Sequence, residues 1–251
     1  MEARRLGRSD LLLTPIGFGA FKIGRNEGIK YPSGYALPTE AEAERLLNAV
    51  LDAGIRYIDT APAYGMSEER IGRAIAPRRG EFVLSTKVGE QFERGTSRYD
   101  FSEGALRASL EQSLSRLRTP AVDIVFLHVP AGDEAILRET DAVAALLEFR
   151  RAGMTRAVGL SAKSIGAARL ALQWADALML EYHPSERTFE PVIAEAAGAG
   201  VGVVVKKALA SGRLPARDAL RFVLSNAGVS SAVVGSLSLD HLRENIAAAS
   251  G

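Results

Sequence analysis

The strongest constraint on this chain is a rhythm: a short apolar run gives way to a stretch with apolar residues at helical spacing, eight times over. The apolar runs cover 15–21, 55–58, 82–89, 122–130, 155–161, 177–182, 201–205 and 231–235. The helical stretches cover 41–53, 67–77, 102–117, 142–152, 165–175, 189–199, 219–227 and 239–249. Strands that alternate with helices are expected to be parallel, because each helix carries the chain back before the next strand can pair. Eight such units in 251 residues match the size of a closed (β/α)8 TIM barrel, here a single domain over 1–251. A doubly wound open sheet is the competing architecture. Gly17-Phe18-Gly19 lacks the third glycine of a dinucleotide fingerprint, and no acidic residue stands correctly placed at the next strand end. Ahead of the first strand, residues 4–13 around Gly7-Arg8-Ser9-Asp10 read as a β-hairpin.

Bulk properties exclude several classes of partner. The 31 basic and 30 acidic residues leave a net charge of +1 and are mixed along the chain, which argues against nucleic acid or an anionic membrane as partner. The longest greasy region, 192–205, is interrupted by Glu195 and rich in Gly and Ala, so it reads as helix plus strand and not as a membrane span. The absence of cysteine excludes disulfides and thiolate metal sites and fits a cytoplasmic protein. With histidines only at 128, 183 and 241, on separate elements, no metal site is expected. The apolar run after the basic start is three leucines long, too short for a signal-peptide core.

In a barrel, residues at the carboxyl ends of the strands surround one mouth however far apart they lie in sequence. Those ends supply Asp59 with Tyr64, then Lys87, then His128. A tyrosine with its ordinary pKa of about 10 is a poor proton donor near neutrality. An ammonium beside it favours the phenolate and lowers that value, and a buried ammonium needs a carboxylate such as Asp59 to stay charged. His128 can hydrogen-bond and orient a substrate oxygen. Together they form an acid suited to protonating an oxygen as hydride reaches the neighbouring carbon.

These residues carry a resemblance. Asp59-Thr60-Ala61-Pro62-Ala63-Tyr64-Gly65, Ser85-Thr86-Lys87 and Leu127-His128, in this order and spacing, resemble the aldo-keto reductases. Pro15-Ile16-Gly17-Phe18-Gly19, Gly159-Leu160-Ser161 and Arg243-Glu244-Asn245 belong to the same pattern. The resemblance implies a monomeric barrel that reduces a small-molecule aldehyde or ketone with NADP(H), or NAD(H), as cofactor. It implies Tyr64 as general acid, Lys87 and Asp59 as its tuning pair, and His128 as orienter of the carbonyl. A nucleotide-binding barrel with little turnover, acting as redox sensor or partner subunit, is the alternative.

By the same resemblance, Gly19, Ala20 and Phe21 fall at the nicotinamide-side turn, and Ser161 and Met179 at the carboxamide. Lys206 holds the place of the aromatic on which the ring commonly stacks, and Met179 that of a glutamine. Lys207, Leu209 and Ser211 match pyrophosphate positions. Gly235, Ser236, Leu237, Ser238, His241, Glu244 and Asn245 match the adenine end, without the basic residues that usually grip a 2′-phosphate. The short 209–219 connection and the stop at Gly251 imply an open, shallow substrate site walled by Phe21 and the 25–37 and 91–99 loops.

Overall fold

The computed structural model describes residues 1–29 and 31–250. In chain order the strands are β1 (Arg4–Arg5), β2 (Leu12–Leu13), β3 (Ile16–Gly19), β4 (Tyr57–Asp59), β5 (Val83–Val88), β6 (Glu90–Glu93), β7 (Thr96–Tyr99), β8 (Val122–His128), β9 (Thr155–Ser161), β10 (Ala177–Glu181), β11 (Gly202–Lys206) and β12 (Val229–Val234). The helices are α1 (Glu40–Asp52), α2 (Ser67–Ile75), α3 (Glu103–Leu117), α4 (Asp133–Glu139), α5 (Ala142–Arg151), α6 (Ile165–Ala171), α7 (Glu190–Gly198), α8 (Ala216–Ser225) and α9 (Leu239–Ser250). Strands β3, β4, β5, β8, β9, β10, β11 and β12 close, all parallel, into the expected (β/α)8 barrel, with β12 pairing back onto β3. Among the described residues no helix is long and apolar enough to cross a membrane.

Local chemistry explains where elements start. Helix α1 begins at a capping box: Thr39 Oγ1 accepts from the Glu42 amide, while the Glu42 carboxylate accepts from the Thr39 amide at 2.8 Å. The stretch expected as a 91–99 loop is instead the hairpin β6–β7. Its two-residue turn, Arg94-Gly95, has positive φ at both positions, the turn whose twist matches that of paired strands. Helix α6 stops at Ala171, short of the expected 175, so Trp174 lies in the following turn, packed on the core. Helix α8 starts at Ala216, three residues before the expected 219.

Period-two alternation sorts every barrel strand into an outer and an inner set. In β8, Val125 and Leu127 join the cluster under the helices, while Ile124 and Phe126 join the cluster inside the barrel. The inner cluster also takes Tyr57, Ala157, Ala177, Met179 and Val204. The first hairpin plugs the bottom of the barrel, with Leu6, Leu11 and Leu13 buried against that inner cluster. The Arg8 amide ties the plug to Gly200 O at 2.8 Å, and the Arg4 guanidinium binds the carbonyls of Leu224 and Val229 at 3.0 Å.

Candidate active site

Following the inner set upward by twos leads to the polar residues at the mouth: Tyr57 to Asp59, Ser85 to Lys87, Phe126 to His128, Gly159 to Ser161, Val204 to Lys206. Each is the inward-facing residue at its strand's carboxyl end. The fold therefore gathers them because one parity runs the whole length of the barrel.

Lys87 and Asp59 form a buried ion pair, with Lys87 Nζ 2.7 Å from both Asp59 carboxylate oxygens. The third ammonium proton goes to Thr60 O at 2.8 Å. These contacts fix the ammonium in place, where its charge and a side-chain hydrogen-bond contact reach Tyr64. The ammonium lies 4.8 Å from the centroid of the Tyr64 ring. Burial works against the Lys87 ammonium, but Asp59 and Tyr64 outweigh it and hold its pKa above the ordinary lysine value.

Tyr64 ends a short 3-10 turn, Pro62–Tyr64, held from three sides. The Tyr64 amide bonds Ala61 O at 3.0 Å, Arg25 donates to Ala63 O at 3.0 Å, and Met66 N donates to Gly24 O at 3.2 Å. Phe21 packs edge-on to the Tyr64 ring with centroids 5.1 Å apart. The two loops touch through glycine: a Cβ on Gly24 would collide with Tyr64 O and the Ser67 amide, and one on Gly65 would collide with Gly24 O. Gly65 also has φ +59, which a side chain would strain further.

The expectation that Lys87 lowers the Tyr64 pKa below its usual value is corrected here. Burial pushes the phenol up, and the opposing charge of Lys87 only partly offsets it. Tyr64 keeps partial exposure on the cavity side, so solvent tempers this rise without reversing it. At neutral pH the group is a protonated phenol.

His128 has a partner that the sequence did not reveal. Glu90, the first residue of β6, places a carboxylate oxygen 2.8 Å from His128 Nδ1, off the ring N–H axis, and accepts from Ser97 Oγ at 2.6 Å. Burial lowers the His128 pKa, helped by the charges of Lys87 and Lys206 and opposed by Glu90. Glu90 itself stays ionised: burial would raise its pKa, but His128 and Ser97 hold it down. Neutral His128 beside a carboxylate favours the tautomer protonated at Nδ1, which leaves Nε2 a lone pair toward the mouth.

These groups open onto one cavity of about 680 Å³, within the range of cofactor sites. Asp59, Tyr64, Lys87 and His128 line it, with Gly19, Phe21, Ser161, Met179, Lys206, Lys207, Leu209, Ser211, Gly235, Ser236, His241, Glu244 and Asn245. Ala20, Leu237 and Ser238 are not in the lining. Ala20 is buried and its carbonyl accepts from Ser67 Oγ, while Leu237 packs on the core beneath α9. Ser238 sits just ahead of α9, its amide bonded to Ser236 Oγ at 3.0 Å. Of the residues expected as substrate walls, Phe21, Arg25, Gly28, Tyr31, Ser97 and Tyr99 line this cavity, and Lys30 lies outside the described residues. Arg25 lies over the Phe92 ring of the β6–β7 hairpin, 3.1 Å from its centroid, and joins that hairpin to the 25–37 loop.

The lining fits an extended anionic nucleotide. Lys207, Ala210, Ser211 and Gly212 all adopt positive φ, a curled backbone of the kind that cups phosphate groups. Ser161 Oγ, expected to meet a carboxamide, already accepts from Lys206 Nζ at 2.9 Å, which leaves its own O–H free to donate. Lys206 also bonds Ala162 O at 2.9 Å. Burial drives its pKa well below the ordinary lysine value, with Lys163 and Lys207 adding to the effect. Lys207 contacts Glu181.

Known proteins share this fold and parts of this sequence. A crystal structure of a protein from Pseudomonas aeruginosa, assigned to the aldo-keto reductases without an established activity in its description, is 41% identical and superposes with a TM-score of 0.90 over 98% of this chain and 93% of that one. The holo form of an aldo-keto reductase from Bacillus halodurans, 27% identical, superposes with a TM-score of 0.86 over 100% and 91% of the two chains. Among sequence relatives, L-galactose dehydrogenase of Arabidopsis thaliana is 28% identical over 99% of this chain and 88% of its own length. D-threo-aldose 1-dehydrogenase of a Pseudomonas species is 31% identical over 66% of this chain, a match that spans only 55% of that protein. The model of the Aldo/keto reductase family matches residues 15–220. The chain belongs to the aldo-keto reductase family, and with it to nicotinamide-dependent oxidoreductases.

Proposed function

We propose that this protein reduces aldehydes or ketones to alcohols with NAD(P)H, and that Tyr64 donates the proton. The observation that carries the reading is the meeting of the Asp59–Lys87 pair, Tyr64 and His128 at one end of one cavity. When bound, the nicotinamide supplies the hydride. The carbonyl carbon gains that hydride and the oxygen gains the Tyr64 proton, so the product is the alcohol. The phenolate left on Tyr64 is stabilised by the Lys87 charge, which Asp59 maintains. A phenol held protonated at neutral pH suits an acid working in the reductive direction. In the reverse direction the same group must first lose its proton, so oxidation is favoured at alkaline pH.

His128 takes a role that depends on its protonation. In the tautomer protonated at Nδ1, neutral His128 offers Nε2 only as an acceptor, and the imidazolium offers it as a donor to the substrate oxygen. Glu90 is the residue that makes the charged form accessible.

Gly19, Phe21, Ser161, Met179 and Lys206 would hold the nicotinamide, and Lys207, Leu209 and Ser211 the pyrophosphate. Ser236, His241, Glu244 and Asn245 would hold the adenosine. That last part of the lining contributes no Lys or Arg, so NADH is expected to serve alongside NADPH. The substrate reading includes sugars, because two relatives carry the names of sugar dehydrogenases.

The test is turnover of NADPH and NADH with a panel of aromatic aldehydes and aldoses, followed at the nicotinamide absorbance. Tyr64→Phe removes only the hydroxyl, and undiminished reduction by that variant would sink the assignment of the acid.

A further inference from the structure

Lys206 is a charged side chain of the cavity that stands outside the proton-donating cluster. It is the last residue of β11 and lies on the inward parity. Two of its three ammonium donors are taken, by Ser161 Oγ and Ala162 O, each at 2.9 Å. The third is open toward the cavity that Lys206 lines.

Its charge reaches the reacting end. Ser161, which Lys206 binds, is the register partner of His128 across β8 and β9. The ammonium is close enough to act electrostatically on the imidazole. A nicotinamide ring that faces a carbonyl held between Tyr64 and His128 must lie against this same arc of wall. The ring is neutral when reduced and carries a positive charge when oxidised. Everything else in the cofactor, phosphates included, is the same in the two forms.

We propose that Lys206 makes the site discriminate between the two redox forms of its cofactor, retaining the reduced form and repelling the oxidised one by like charge. The inference rests on the nicotinamide reading given above. It assigns Lys206 a part in each turnover, since the spent cofactor is the form it expels. An aromatic side chain at this position would do the opposite, because a ring face attracts a cation.

Other charged groups face Lys206. Lys163 and Lys207 lie close on its side, Glu181 is its register partner on β10, and Lys87 and the His128–Glu90 pair stand across the mouth. Burial, with repulsion from Lys163, Lys207 and Lys87, eases its deprotonation, and Glu181 opposes it. The preference for the reduced form is therefore strongest on the acid side and fades as pH rises, with affinity for the oxidised form increasing.

The experiment is equilibrium binding of NADH, NAD+, NADPH and NADP+ to the whole protein by calorimetry, with no substrate present. The wild type is expected to bind each reduced form at least about tenfold more tightly than its oxidised partner, as like charges at contact range imply. Lys206→Met should bring the ratio close to one, Lys206→Arg should keep it, and Lys206→Tyr should move it toward the oxidised form. Lys207→Met, acting on the shared phosphates, should weaken both forms and, by removing a like charge beside Lys206, leave the preference for the reduced form at least as large. Equal affinity for the two forms in the wild type, or a ratio unchanged in Lys206→Met, overturns the proposal without touching the reductase reading. Binding of neither form overturns both. A pH dependence of the ratio that persists in Lys206→Met would belong to His128 and also count against Lys206.

Discussion

The two ends of the barrel are built from the same strands and the same inward parity, yet they are chemically opposite. At the bottom, Leu6, Leu11 and Leu13 of the first hairpin join Tyr57, Ile124 and Phe126 in one buried apolar cluster that excludes water. At the top, two residues further along the same strands, stand Asp59, Lys87 and His128. The bottom gains stability from burial, at about 1.5–3 kcal/mol for each large apolar side chain. The top sets charges in a partly dry site, where each is tolerable only because of a partner. One end stabilises the fold and the other spends part of that stability on chemistry.

The contrast is sharpest for Tyr64→Phe. Loss of a positioned general acid is expected to lower kcat/KM for carbonyl reduction by about 10³. Thermal unfolding should stay close to the wild type, because the ring and its contact with Phe21 remain. A large fall in Tm would show that the mouth carries stability as well.

Lys87→Met should cost both properties. It strands the Asp59 carboxylate in the interior, a change worth about 3–5 kcal/mol of stability, and leaves the phenolate without its counter-charge. Adding Asp59→Leu should restore much of the stability and none of the activity, as read by chemical denaturation and steady-state kinetics on the same samples. Recovery of turnover in the double variant would break the division between the two ends.

Leu6→Ala probes the other end. The cavity it leaves under the barrel should cost about 2–5 kcal/mol in denaturation, with kcat/KM within about twofold of the wild type at temperatures where the protein is folded. Coupled loss of activity would show that the plug sets the geometry of the mouth.

The smallest effects lie in the pH profile. The proposed role of Tyr64 needs its phenol protonated, and its raised pKa should extend the reductive plateau to the alkaline side. On the acid side, kcat/KM should rise as His128 becomes the imidazolium, at a pH below the ordinary histidine value of 6.5. Glu90→Gln removes the carboxylate that favours that cation, so the inflection should move further down. An unmoved inflection would mean that Glu90 does not govern His128.

Much of this was legible in the sequence because it depends on periodicity. Alternating strands and helices set the barrel, and strand ends set Asp59, Lys87 and His128 at one mouth. What escaped depends on contacts between segments distant in sequence. Glu90 falls between the strand expected over 82–89 and the loop expected over 91–99, and its partner His128 stands on another strand, so no local pattern joined them. The rise in the Tyr64 pKa comes from enclosure by Phe21 and the first loop, and the sign of a competition between burial and charge cannot be read from residue types. The Lys206 position was visible as a departure from a family pattern, but its bond to Ser161 required the strand order. The expected ends of α6 and α8 slipped by a few residues because turns such as the one holding Trp174 continue the helical spacing of apolar residues.

The contact between Gly24 and Gly65 has an evolutionary corollary. The stretch after Gly24 forms one wall of the substrate site, and such walls are where new specificities are explored. Its root is pressed against the peptide unit that carries the acid. Mutational drift in that wall is therefore free only beyond Arg25. A change at the root displaces the reactive phenol without altering any group that takes part in the reaction, so variants selected for new substrates should gather past this hinge and leave the glycine pair untouched.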